Sequence, residues 1–218
     1  EQGYVPYPIP EGNFGYHQNG PSLTLEYAYQ DWCLAQFAKA LGKQEDYDYF
    51  MARSKNYKNV YDPGWGWMRP KNQAGKWLEP FDPYKHNQAF TEANSAQNTW
   101  FVPHDLEGLA ELMGGKEKAI AKLNQQFEEA KKLGFTIGTS IDQEHHPEYS
   151  RIPINYGNQP SIQTAFIFQH LGRPDLTQYW VSQVVKDVYE ELTTDRGYNG
   201  DEDQGLMGSL AVLMKIGL

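Results

Sequence analysis

Helical periodicity that arrives in pairs, broken by long aromatic loops, constrains this chain more than any other feature. Ser22 reads as an N-cap, with Glu26 in the first turn of a helix that runs to Leu41-Gly42. Leu25, Tyr29, Trp32, Cys33, Gln36, Phe37 and Ala40 recur at the spacing of one helical face. A second helix, Gln44 to Tyr57, follows at once, which predicts an αα-hairpin closed by a glycine turn. Lys58 to Lys85 then shows no regular period yet holds Trp65, Trp67, Arg69, Trp77 and Phe81, and unstructured stretches of that length are usually functional. Helical patterns resume over Ala93–Trp100, Leu106–Met113, Lys116–Leu133, Pro160–Leu171, Pro174–Leu192 and Leu206–Leu218, where Pro160 and Pro174 suit first turns. Only Phe135–Ile141 alternates like a strand. The expectation is an all-α fold in which short turns lie at one end and long, acid-bearing loops at one mouth. That is the logic of an (α/α)6 toroid. The helices are too few for a complete ring, so residues 1–218 are expected to be a portion of a single catalytic domain.

Composition narrows the function. Aromatic residues make up 14% of the chain, yet mean hydropathy is only −0.72. Many rings therefore stand among Gly, Pro and Asn in loops, where flat faces with polar rims suit sugar rings. A net charge of −9 with no Lys/Arg cluster argues against nucleic acid and against anionic membrane surfaces. No apolar run approaches the length of a membrane span. The single cysteine, Cys33, is expected to be a small buried apolar residue, and one cysteine rules out an internal disulfide.

The chemistry concentrates in two places. Asp201, Glu202 and Asp203 stand side by side in a turn bounded by Gly200 and Gly205, at a repulsive cost that a cation, substrate or reaction must offset. Far upstream, Glu92 lies in Phe90-Thr91-Glu92-Ala93-Asn94. Two carboxyl groups drawn from distant loops are what glycosidic cleavage needs. Phe90, Trp100 and Phe101 near Glu92 predict an apolar setting that favours its protonated form. His145 and His146, with Glu144 and Glu148, lack the one-face spacing of a zinc motif. His104-Asp105 reads as a helix-start and packing pair.

Six motifs in order carry a family resemblance: the run from Ser22 to Trp32, Trp67-Met68-Arg69-Pro70, Thr91-Glu92-Ala93-Asn94, the run from Thr99 to Asp105, Gly157-Asn158-Gln159-Pro160-Ser161, and Gly200-Asp201-Glu202-Asp203. Together, from Gly3 to Leu218, the chain resembles the glycoside hydrolase family 92 α-mannosidases. The resemblance implies an (α/α)6 catalytic domain preceded by a β-sandwich that lies outside this sequence. It also implies calcium-dependent, inverting, exo-acting removal of terminal α-mannose from glycans, in a periplasmic or secreted setting. By position, Glu92 matches the general acid and Asp203, with Asp201 beside it, the general base. Asn158 and Gln159 match positions that help to hold Ca2+, and Asp31, Trp67, Arg69 and Asn94 are candidates to line the sugar site. Trp67 and Arg69 have an equal alternative, that of pinning the long loop. The chain departs from the family pattern at Gln159, where a carboxylate is common, and at Ile162 and Gln163, where His-His is common. Gln204-Gly205-Leu206-Met207 also departs from the usual Cys-Gly-Gln-Met. Two rival readings are a glycosidase of the same architecture with another sugar preference, and a catalytically silent glycan-binding homologue.

Overall fold

A computed structural model describes residues 2–9, 19–136, 151–190, 200 and 205–217. The described chain is mostly helical. Helix α1, Gly20–Ala40, begins two residues before the expected cap. Asn19 stands at the N-cap position without a side-chain bond to the helix backbone, and Pro21 sits in the first turn, where it lacks only a hydrogen that the helix would leave unpaired. Ser22 is therefore inside the helix, and its hydroxyl is used elsewhere. Gly42, at φ +68°, turns the chain into α2, Gln44–Arg53, so the expected hairpin is present.

The buried stripe of α1 differs from the expected one. Thr24, Leu25, Ala28, Asp31, Ala35 and Ala38 face inward, while Cys33 is exposed and Phe37 remains 63% exposed. Large apolar residues lie all round this helix, so hydropathy alone does not select a face. The small residues Ala28, Ala35 and Ala38 carry little hydrophobic signal but permit close approach.

The long aromatic stretch is built rather than loose. After a 3-10 turn, Asn56–Val60, strands β1 (Tyr61–Asp62) and β2 (Trp67–Met68) pair antiparallel, with Tyr61 opposite Met68. Gly66 N–H closes the turn on Asp62 O at 2.7 Å. Asn94 caps the single-turn α3, Ser95–Asn98, by accepting from Gln97 N–H at 3.0 Å. Asp105 caps α4, Leu106–Leu112, through Gly108 N–H, as the His104-Asp105 reading expects. Helix α5 spans Lys116–Lys131. A 3-10 turn at Gln159–Ser161 precedes α6, Thr164–His170, and Gly172 (φ +92°) joins it to α7, Pro174–Val188. Helix α8 is Leu206–Ile216. Phe135 and Thr136 form no strand, and the remainder of the expected strand lies outside the described residues.

The core sits where α5, α6 and α7 meet. Phe127 packs its ring against Phe135, Tyr156, Phe168 and Trp180, with centroids 5.1–6.4 Å apart. Beside it Gln126, fully enclosed, accepts from Trp100 Nε1 at 2.7 Å and donates to Ala96 O and Pro153 O. One side chain thus ties α5 to both segments that reach the site.

His104 gives the fold a pH dependence. Its Nε2 meets Ser54 O at 2.9 Å, its Nδ1 is buried without a hydrogen-bond partner among the described residues, and rings of Tyr29, Trp32 and Tyr57 surround it. Burial pushes its pKa below the ordinary histidine value, against the opposing pull of the Ser54 carbonyl and Asp105. The folded state therefore holds the neutral ring, and Nε2 donates. Its contribution to stability is whole above the unfolded value of about 6.5 and is lost as pH falls below that through the folded pKa. The melting temperature is expected to fall between pH 7 and pH 5, and to fall less steeply in His104→Gln. Parallel melting curves for the two proteins would show this, and identical slopes would remove His104 as a source.

Candidate active site

The site is assembled from three distant segments. Thr91 N–H donates to Ser22 Oγ at 3.1 Å, and Ser22 Oγ donates to Asn98 Oδ1 at 3.1 Å. Asn19 Nδ2 holds Thr91 Oγ1 at 2.9 Å. These bonds stitch the chain around residue 91 to the start of α1. They frame a cleft of about 300 Å³ between Ser22, Leu23 and Glu26 of α1, Thr91 and Glu92, Asn98 and Phe101, and Gln159-Pro160. With Ser22 taking the Asn98 oxygen, Asn98 Nδ2 is left buried with no hydrogen-bond partner among the described residues.

Glu92 holds the left-handed conformation, φ +51°, which is costly for a residue with a side chain and tends to persist where function requires it. Asn158 pins it. The Asn158 side chain, wholly buried, donates from Nδ2 to both Glu92 O (3.1 Å) and Glu92 Oε2 (3.3 Å), while its Oδ1 accepts from Gln159 N–H at 3.0 Å. The structure therefore brings together three expected site residues: Glu92, Asn158 and Gln159. The expected apolar enclosure of Glu92 is not formed by the described residues. Phe90 and Trp100 are buried in the core instead, Phe101 alone of the three lines the cleft, and the Glu92 side chain is exposed.

The four other sugar-site candidates lie off this cleft. Arg69 is 3% exposed and spends its guanidinium on Asp62 Oδ2 at 2.9 Å, Leu78 O and Glu79, with Trp65, Trp77 and Phe81 over its faces. This is the loop-pinning role. Trp67 packs on Phe81, Ala96 and Tyr84, and Lys122 Nζ sits 3.1 Å from the centroid of its ring. Burial there pushes the Lys122 amine down to about 7. Asn94 is fully buried, capping α3 and donating to Ile152 O at 3.0 Å. Asp31 faces a different cavity, on another side of α1. Asp201 and Asp203, like Glu144, His145, His146 and Glu148, lie outside the described residues.

Two cleft residues escape sequence reading. Glu26, read there only as a first-turn acid, contributes a second carboxyl whose pKa burial raises. Asn98 contributes a buried donor with no partner among the described residues. Each depends on which face of a helix turns toward a segment some seventy residues away, a choice with no local signal.

Gly200 adds a further constraint. A Cβ built on it would stand 1.9 Å from Gly157 O, so only glycine lets the two backbones meet. The residue before the acidic turn thus lies against the residue before Asn158.

A glutamate in the left-handed conformation, held by a buried asparagine, thus stands beside a cleft rimmed by polar groups. The family model of the glycosyl hydrolase family 92 catalytic domain matches residues 1–218, and the chain belongs to that family. A protein of Arthroderma benhamiae described as an uncharacterized secreted glycosidase is 29% identical over 220 residues, covering 90% of this chain and 25% of that protein. The family GH92 α-mannosidase of Bacteroides thetaiotaomicron solved with mannoimidazole is 30% identical, with TM-score 0.77 over 98% of this chain and 27% of that one. A family GH92 inverting mannosidase of the same organism is 36% identical, with TM-score 0.74 over 97% of this chain and 28% of that one. The chain spans about a quarter of the length of these relatives. Among the described residues no helix is long and apolar enough to cross a membrane.

Proposed function

We propose that this chain carries the acid–base pair of an inverting exo-α-mannosidase, within an (α/α)6 toroid, that removes terminal mannose from glycans. The observation that carries the reading is the Asn158 bridge to both the main chain and the carboxylate of Glu92, which fixes that carboxyl group at a cleft wall. Glu92 donates a proton to the leaving oxygen as the glycosidic bond breaks. Asp203, with Asp201 beside it, takes a proton from a water on the opposite ring face, and the two carboxyl groups of such a pair stand about 6.5–9.5 Å apart. Gly200 supports the pairing. It lies against Gly157, the residue before Asn158, and precedes Asp203 by three residues in the sequence. Similarity to mannosidases, one of them solved with mannoimidazole, favours mannose. The secreted fungal relative favours a secreted or periplasmic setting.

The anomeric outcome tests this. Proton NMR of the full-length protein acting on an α-mannoside should show β-mannose forming first. Appearance of the α-anomer first would exclude inversion.

Calcium belongs to the same proposal. Asn158 and Gln159 offer amide oxygens, the hard donors calcium takes. The bonds from Asn158 Nδ2 to Glu92 fix its flip, so Oδ1 keeps a lone pair beyond the one used by Gln159 N–H. Among the described residues no group of three His, Cys, Asp or Glu side chains forms a metal site. What calcium supplies when bound is a grip on the ring hydroxyls that favours sugar distortion. Because affinity follows ligand charge, Gln159→Glu is expected to lower the calcium concentration for half-activity. Chelator titration of both proteins checks this, and wild-type activity indifferent to chelation would refute the metal.

A further inference from the structure

Helix α1 faces two cavities. Ser22, Leu23 and Glu26 line the Glu92 cleft, while Thr24, Tyr27, Ala28 and Asp31 line a second cavity of about 570 Å³, closed by α2 and the 3–5 segment. The two stripes lie on different sides of one helix, so a helix diameter of about 10 Å separates the spaces. The volume is within the ordinary range for ligand pockets.

Its chemistry is specific. Asp31 is 5% exposed and accepts one hydrogen bond, from Arg53 Nε to Oδ2 at 3.0 Å. Its Oδ1 accepts no hydrogen bond from the described residues, which leaves it available to the cavity that Asp31 lines. Burial raises the Asp31 pKa even though Arg53 opposes the shift, as expected of a carboxylate with too few donors. Arg53 in turn donates to Tyr49 Oη at 3.2 Å and lies 5.4 Å from the centroid of that ring. Tyr27 and Tyr49 are 48% and 57% exposed, and Asn56 completes the polar rim.

We propose that this second cavity binds a pyranose unit of a neutral glycan, with Asp31 Oδ1 accepting from ring hydroxyls and Tyr49 and Tyr27 offering apolar faces. The Asp31–Arg53 pair sums to zero charge, which favours a neutral polyol over a cation or an anion. A carboxylate facing a guanidinium supplies both acceptor and donor, as vicinal hydroxyls require. Proximity to the Glu92 cleft makes an inner sugar of the same glycan the natural occupant, so the inference rests on the proposed glycosidase reading.

Titration calorimetry tests it on the full-length protein carrying Glu92→Gln, which prevents turnover, with a linear α-manno-oligosaccharide as the probe. Adding Tyr49→Ala at the rim is expected to weaken binding about tenfold, the loss of one aromatic contact. Tyr49→Trp should bind within about twofold of the parent, because the flat face is kept. In the otherwise wild-type protein, Tyr49→Ala should leave kcat/KM on a small aryl mannoside unchanged. Equal oligosaccharide affinity for the alanine variant and its parent, or no binding by either, overturns the second site. Failure to cleave the aryl mannoside refutes the glycosidase reading separately, whatever the calorimetry shows.

Discussion

Glu92→Gln in the full-length protein is expected to lower turnover of mannosyl oligosaccharides by about 10²–10⁴-fold, the span of a lost general acid. The amide keeps the shape of the side chain and an oxygen for the Asn158 bond, so the cleft should persist. What it removes is the transferable proton. An aryl leaving group of low pKa departs with little protonation, so its hydrolysis should fall far less. The discriminating measurement is kcat on both substrates, since equal losses would mean that Glu92 does not protonate the leaving oxygen. Asn158→Ala should act in the same direction through position alone, because it frees both the carboxylate and the strained main chain of Glu92.

Gln126→Leu should produce the largest loss of stability, on the order of 3 kcal/mol. It removes bonds to Trp100 Nε1, Ala96 O and Pro153 O, and each buried polar group left unpaired costs about 1–3 kcal/mol without strict additivity. Leucine fills a similar volume, so cavity formation adds little. Ala96 lies between Asn94 and Asn98, and Pro153 leads toward Asn158, so activity should fall before unfolding is complete. Denaturant unfolding monitored by tryptophan fluorescence would measure the change. A loss below about 1 kcal/mol would mean that the surroundings satisfy these groups by another route.

Much of the helical architecture was legible because it rests on local signals. Gly42 and Gly172 mark hairpin turns through their freedom at positive φ, and Asp105 marks a helix start through its capping oxygen. The motif order identified the family, and the family comparison agrees. The roles of individual loop residues were less legible. Arg69 and Trp67 have the side chains of a sugar site, yet their neighbours engage them in packing the β1–β2 hairpin. Asn94 reads as a sugar-site candidate, yet its side chain is buried and accepts from Gln97 N–H as the cap of α3.

The sequence by itself determined where helices begin and end to within a few residues, and its motifs singled out Glu92 and Asn158, which the fold brings into contact. Capping, periodicity and glycine turns act over a few residues and are written along the chain. Tertiary structure alone decided the orientation of α1, and with it whether Glu26 or Asp31 shares the space beside Glu92. That choice depends on the summed packing of residues far apart in sequence. On a helix apolar around its circumference, several rotations satisfy the local pattern equally, and only contacts with residues 91–101 and 159–160 on one side and α2 on the other separate them.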